Sequence, residues 1–463
     1  MKNKKIIIIS SVVLVIIIAI LLGTLYFTTD LFKSNKDLFY EYIGKTKFID
    51  SNFTQTYLAS YKKIQSSDYS SSMVIDFSEK QTNGTENNTQ KILEIKSNGL
   101  KSVNKNQAYN DYTITIENQQ LGTIKFLRDG NMYGFGADNI LSKYIGIENS
   151  NLRNFFSKLG ISQTEDLPDE IPTINIDKIL EIDSNALASV GKKYYNVLYN
   201  NIDKTHFSKI KNKDKTETIT LSLNEQETAS IIQELLKTAK DDTELLNFIT
   251  DKAKMLGYNN VNNTTIQNEL QSYIDNISNN SYTNEVDFLV ISFKKQDKNV
   301  ETISVQVKQK DETEEGMSAY KKYEIIYDLS KEQTVNITTK EDGSQTLNLT
   351  LNYGYNENNI ATNIVLNDSG NNAEIKLQMS NYNSDKIVIN LNLVYKSLED
   401  EQEYEVNLVN NINIKEDIQI EKLTTENFAK LNDMTEQELS MLFNAITNRI
   451  IAVYGEQIGI PVQ

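Results

Sequence analysis

From Val286 to Ile420 apolar and polar residues alternate almost without interruption. Leu347, Leu349, Leu351 and Tyr353 alternate with Thr346, Asn348, Thr350 and Asn352. Ile387, Ile389, Leu391, Leu393 and Tyr395 repeat the pattern, as do Ile375, Leu377 and Met379, and then Tyr404, Val406 and Leu408. A period of two is that of a strand with one face against apolar material and the other in water. Asp342-Gly343, Tyr353-Gly354 and Asp368-Ser369-Gly370 supply turn residues between the runs. Nine or ten strands are predicted. A shorter block behaves likewise: Met73, Ile75 and Phe77, then Tyr112, Ile114 and Ile116, then Ile124 and Phe126, with turns at Gly84 and Asp129-Gly130. It predicts four or five more strands.

Helical spacing fills the remainder. Leu38 to Ile64 reads as one helix, with Gly44 as a point of interruption. Leu152, Phe155, Phe156 and Leu159 follow an N-cap at Asn149 or Ser150 and precede Gly160 as the C′ residue. Leu187, Val190, Tyr194 and Leu198 form another stripe. Asn224 with Glu227, Thr264 with Gln267, and Thr435 with Glu438 have the spacing of capping boxes. They open helices whose apolar stripes include Leu235 and Ala239, Leu270 and Ile274, and Leu439 and Ile446. Between the first two lies a further stripe, Leu246, Ile249, Ala253 and Leu256, closed by Gly257.

Met1-Lys2-Asn3-Lys4-Lys5 precedes an uncharged run from Ile6 to Phe27. As a helix this run spans roughly 33 Å, enough for a hydrocarbon core of about 30 Å. No small-x-small cleavage site follows it, so a retained anchor is expected rather than a cleaved signal. The basic residues lie before the run and Asp30 after it, which places the N-terminus in the cytoplasm and the bulk of the chain outside.

The expected fold class is α+β: a transmembrane helix, then a large, mainly antiparallel meander, a curled sheet or half-barrel covered by amphipathic helices. The expected segments are a cytoplasmic tail (1–5), the anchor (6–27), a juxtamembrane helix (28–66), a strand-rich half with helices (67–223), a helical block (224–277), the β-meander (286–423) and a C-terminal helix (424–455). The polar stretch Ser278 to Glu285 is the expected boundary before the meander. The helices of 224–277 and 424–454 are the candidates to cover its apolar face.

Composition narrows the chemistry. The chain has no Cys and one His, which excludes disulfides, thiol nucleophiles, cysteine zinc sites and multi-His metal sites. Its formal net charge of −16 argues against sequence-independent nucleic-acid binding. His206 has no G-x-S-x-G partner motif and reads as an ordinary His. Gly134-Phe135-Gly136 lacks the residues of a phosphate cradle. The acidic runs Asp311–Glu315 and Glu399–Glu401 lack the spacing of a calcium loop and read as solvated loops. No cofactor, metal or catalytic residue is assigned.

A curved sheet with helices on its apolar face resembles the architecture of LolA-like lipoprotein carriers and the mycobacterial lipid-binding lipoproteins. The alternation over Leu347–Tyr353 and Ile387–Tyr395 carries that likeness. The layout also resembles single-pass extracytoplasmic proteins of low-GC Gram-positive bacteria, through Lys143-Tyr144-Ile145-Gly146-Ile147-Glu148-Asn149 and Glu421-Lys422-Leu423-Thr424. That group has no assigned chemistry, so no functional residues carry over.

The expectation is a membrane-anchored envelope protein, a non-enzymatic binding or scaffold module. A hydrophobic ligand such as a lipid is expected against Leu349, Leu351, Ile389 and Leu391. The rival readings are a carboxylate-dependent enzyme acting on envelope glycan, and a structural partner of another membrane protein. Its partners are expected to be the membrane, through 6–27, and a lipid or an envelope protein.

Overall fold

The computed structural model describes residues 34–83, 86–161, 169–170, 184–255, 258, 260–296, 299–312, 318–368, 370–397 and 402–454. The expected anchor at 6–27, the turn at Gly84, the helix end at Leu256-Gly257 and the acidic run Glu399–Glu401 lie outside these residues. No helix among them is long and apolar enough to cross a membrane.

The described chain is α+β and almost wholly antiparallel. Helices α1 (Asn35–Lys45) and α2 (Ser51–Gln65) come first. Strands β1 (Tyr69–Asn83), β2 (Glu86–Ser102), β3 (Gln107–Ile116), β4 (Gln119–Asp129), β5 (Met132–Ala137) and β6 (Tyr144–Glu148) follow. Next are α3 (Leu152–Lys158), α4 (Ser184–Asn201), β7 (Phe207–Lys211) and β8 (Glu217–Leu223). A helical run comprises α5 (Glu225–Asp241), α6 (Thr243–Met255) and α7 (Asn263–Asn279). Nine strands succeed it: β9 (Leu289–Gln296), β10 (Asn299–Glu312), β11 (Ser318–Asp328), β12 (Thr334–Glu341), β13 (Ser344–Tyr355), β14 (Asn359–Asp368), β15 (Asn371–Ser380), β16 (Lys386–Ser397) and β17 (Gln402–Ile414). Strand β18 (Phe428–Lys430) and helix α8 (Glu436–Tyr454) end the described chain.

Local chemistry accounts for the element ends. Asn224 and Glu227 form the expected reciprocal capping box of α5, and Thr435 and Glu438 do the same for α8. Gly160 at φ +77° and the Asp342-Gly343 pair, both at positive φ, occupy the left-handed region as their turns demand. Some boundaries differ from the sequence reading. Tyr353 and Gly354 lie inside β13, because the ladder continues through a glycine that needs no turn conformation. Helix α3 begins after Asn151 rather than Asn149 or Ser150, with Asn151 in the left-handed region. Helix α7 is capped by Asn262, not Thr264. The Leu38–Ile64 pattern is two helices: α1 runs through Gly44 and ends at Thr46, whose hydroxyl donates to the Tyr42 carbonyl.

The chain divides into two compact units, residues 1–50 with 173–350 and residues 51–172 with 351–463. Neither is continuous in sequence, and the division falls within β13. The stretch Ser278–Glu285 begins in the last turn of α7 and runs on towards β9 inside the first unit.

In the first unit β7 to β12 pair in chain order as an antiparallel meander. Helices α1, α4 and α5 cover one face. Phe39, Tyr42, Val190, Leu198, Ile219, Phe293, Ile303 and Leu235 belong to one buried cluster. Phe39 meets Phe207 and Phe293 edge-on, with ring centroids 5.2 and 5.1 Å away. Such contacts contribute about 0.5–1.5 kcal/mol each beyond burial. The buried Asp242 carboxylate receives an ion pair from Lys193 of α4 at 2.9 Å and caps α6 through the Leu245 amide.

In the second unit the order is β14-β15-β16-β17-β1-β2-β3-β4-β5-β6, all antiparallel, with β18 added parallel to β6. Pairing of β1 with β17 merges strands from the two alternating blocks of the sequence. Helix α2 packs on one end of this sheet, its Ile64, Phe53 and Tyr57 against Ile360, Met379, Ile387 and Ile412. Helix α8 packs Leu439 and Leu442 against Phe155, Ile145 and Leu431. The helices of 224–277 therefore serve the first unit, while α2 covers part of the second.

Candidate functional site

Directly opposed residues of an antiparallel sheet share a face. Across six neighbouring strands of the second unit, β15 to β17 and then β1 to β3, one row reads Leu377, Leu391, Leu408, Ile75, Ile95, Ile114. Two residues along, the next row on the same face reads Ile375, Leu393, Val406, Phe77, Leu93, Ile116. The row between them on the opposite face is Lys376, Asn392, Asn407, Asp76, Glu94, Thr115. Twelve apolar side chains thus back onto a wholly polar row.

The polar face is cross-linked. Lys80 lies 3.0 Å from Glu403 and 2.9 Å from Glu405. Lys91 lies 2.6 Å from Asp76 and 2.8 Å from Glu94. Asn392 donates to Glu405 and Asn407. The Lys80 ammonium holds the Glu405 carboxyl below the usual carboxylate range, and Glu405 holds Lys80 above the usual range for lysine. The Lys80 pairs cross from β1 to β17, and a shift of that register by one residue would line up the apolar residues of one block with the polar row of the other.

None of the twelve apolar residues belongs to a buried cluster among the described residues. Ile375 and Ile116, at opposite ends of one row, are 38% and 41% exposed. The others are half-buried. With strands about 4.8 Å apart and rows about 7 Å apart, the strip is about 24 Å long and roughly 12 Å wide including side chains. At the β4 end both apolar rows stop. Gln119 lies opposite Ile116, and Gly122 lies opposite Ile114. A Cβ at Gly122 would fall 2.6 Å from the Tyr454 hydroxyl, so the end of α8 stands over that glycine. Towards α2 the next row contains Ile389, Asn410 and Met73. The Asn410 Oδ1 is buried and accepts no hydrogen bond among the described residues.

The four residues singled out from sequence are distributed as follows. Leu391 stands within the strip between Leu377 and Leu408. Ile389 stands one row nearer α2 and packs on the cluster around Ile387. Leu351 is half-buried on β13, on the strand face of Tyr353 and Tyr355, which meet Phe53 of α2. Leu349 is half-buried on the part of β13 in the first unit, and its neighbours Asn348 and Thr350 hydrogen-bond Thr338 and Asn336 of β12. Strands β1 to β3 supply the other half of the strip. Their signal is present in the alternation of Ile75, Phe77, Ile114 and Ile116, but the partner strands are remote in sequence.

A second concavity lies in the first unit. It has a volume of about 270 Å³ and is lined by residues including His206, Glu227, Ser230 and Glu234. The His206 Nε2 is 3.5 Å from Glu227 Oε1. The other Glu227 oxygen accepts the Asn224 amide at 2.9 Å as part of the helix cap. Ser230 donates its hydroxyl to the Gln226 carbonyl at 2.9 Å, as a helix side chain does. Glu234 is engaged by Lys237 at 2.7 Å. The groups of this cleft are committed to helix structure and to one another. No group of three or more metal-ligating side chains occurs among the described residues.

No family model matches the chain, and no curated protein matches it. Among solved structures, the translocator domain of the autotransporter NalP from Neisseria meningitidis aligns with 78% of this chain and 98% of its own, at 5% identity and a TM-score of 0.18. A mutant of transferrin binding protein B from Haemophilus parasuis aligns with 75% of this chain and 76% of its own, at 6% identity and a TM-score of 0.12. Scores this low carry no argument about fold or function.

Proposed function

We propose that this protein is a non-enzymatic, extracytoplasmic envelope protein, held in the membrane by residues 6–27 with its N-terminus inside, that binds a lipid or other hydrophobic ligand on the apolar sheet face of its second unit. The observation that carries this reading is the strip of twelve aligned apolar side chains around Leu391, outside every buried cluster among the described residues and backed by a polar row. Its area is about 300 Å². At about 25 cal/mol per Å², keeping it wet costs on the order of 7 kcal/mol. Contiguous apolar patches of this order on soluble proteins are often functional. Ile389 and Leu351, on the side of α2, would form the covered floor beside the strip. The anchor reading rests on the uncharged run, its basic flank and the missing cleavage site.

The test uses the full chain. In spheroplasts, added protease should degrade everything beyond the anchor while the N-terminal tail stays protected. Purified full-length protein in lipid nanodiscs should enhance the emission of an environment-sensitive hydrophobic dye, and a Leu391→Glu variant that retains its β circular-dichroism signal should lose that enhancement. A mature N-terminus near residue 25 to 30 would overturn the anchor. Unchanged dye binding by Leu391→Glu would overturn the ligand face.

A further inference from the structure

Resting on that reading of the strip, we propose that its ligand is a single free fatty acid. The chain lies across β15 to β3 in the furrow between the two rows, and the carboxyl lies at the β4 end, beside Gln119 and the Tyr454 hydroxyl.

Three features select this occupant. A peptide carries backbone donors and acceptors that must be satisfied, but the two rows hold only aliphatic and aromatic side chains, and the strand backbones beneath are spent on one another in the ladders. A second copy of the chain is too large a partner for the patch: a stable interface buries about 800 Å² on each side, against about 300 Å² here. The shape is also linear. The furrow is about 24 Å long, more than the roughly 15 Å depth that the chains of one leaflet fill in a 30 Å hydrocarbon core, so one extended membrane-length chain lies along it end to end. Two rows define one furrow, which takes one chain and not the two of a diacyl lipid.

The polarity of the ends sets the direction. At the β14 end the rows continue into Thr362 and Ile364, half of which is apolar. At the β4 end they meet Gln119 and the bare backbone of Gly122 with the Tyr454 hydroxyl over it. The glutamine amide and the phenol are both hydrogen-bond donors suited to a carboxyl group.

The test is photolabelling of the full-length protein in nanodiscs by palmitic acid carrying a diazirine near its methyl end, with a diazirine-bearing diacyl phosphatidylcholine as the comparison probe. Labelled peptides are mapped by mass spectrometry. The fatty acid should label segments within 371–397 and 402–414, at the end of the furrow away from β4, and excess unlabelled palmitate should suppress that labelling at least tenfold. Ile95→Gln should reduce it to a similar degree. Tyr454→Phe should weaken competition by palmitate several-fold while leaving competition by methyl palmitate little changed. The palmitate competition on the native chain decides the matter even if Ile95→Gln does not fold. Labelling by the diacyl probe as strong as by the fatty acid would overturn the proposal. So would labelling confined to 69–116, which would reverse the direction of the chain and leave the hydrophobic-ligand reading standing. Labelling confined to the anchor would overturn both.

Discussion

Ile75 of β1 lies directly opposite Leu408 of β17, and on its other side opposite Ile95 of β2. This contact joins two blocks of strands that the sequence keeps far apart, and it places the first block's apolar residues in line with those of the second. The apolar strip exists only because this seam closes in one register.

The ion pairs beside the seam should make it sensitive to pH. Glu405 is held below its ordinary value of 4.5, chiefly by hydrogen bonding to Lys80. A depressed carboxyl contributes stability above about pH 4.5 and loses it as pH falls through the lower folded value. Lys80 is held above its ordinary 10.5, chiefly by Glu405, so its contribution is complete below about pH 10.5 and is lost as pH rises through the higher folded value. The groups are partly exposed, so the pair contributes only about 0.2–1 kcal/mol. Urea denaturation of Lys80→Met should show that loss at pH 7 and a progressively smaller one as pH is lowered below 4.5. A loss that stays constant down to the lowest pH at which the chain is folded would mean that Lys80 acts through packing.

Gly146 should not tolerate a side chain. A Cβ there would fall 1.8 Å from the Tyr133 carbonyl oxygen, in the middle of the β5–β6 ladder. Backbone on both sides leaves no flexible group to yield. Gly146→Ala should lower stability by about 3 kcal/mol or more, at the top of the range for overpacking. Rapid proteolysis around β6 and β18 under conditions where the native chain resists would report it. A native-like melting temperature would mean that the two strands separate more easily than their register implies.

Asn410 should be replaceable with gain. Its buried Oδ1 lacks a hydrogen-bond partner among the described residues, and its row neighbours are Ile389 and Met73. An unsatisfied buried polar group costs about 1–3 kcal/mol. Asn410→Leu, close in volume, should raise the urea midpoint by an amount equivalent to about 1 kcal/mol. Lower stability would show that the side chain has a partner it needs.

His206 should be dispensable. Its neighbour Glu227 is already engaged by the cap of α5, and the imidazole is partly exposed in its cleft. His206→Ala should shift stability by less than about 1 kcal/mol and leave hydrophobic dye binding unchanged. Loss of binding by a folded variant would move the functional site to the first unit.

Features under local chemical control are legible in the sequence. Period two set the strand faces, so Leu391 could be assigned to an apolar face. Capping pairs such as Asn224 with Glu227 and Thr435 with Glu438 set helix starts, because their donors and acceptors lie three residues apart. At Tyr353-Gly354 the local signal is that of a turn, but the strand continues through the glycine to Tyr355. Only the tertiary structure decided which strands are neighbours. Alternation tells each strand which way its side chains point but not whose side chains they meet, since pairing energies come from partners hundreds of residues away. Leu391 was therefore legible as a surface, whereas the strip was not: its other half, Ile75, Ile95 and Ile114, is brought alongside by the β1–β17 seam.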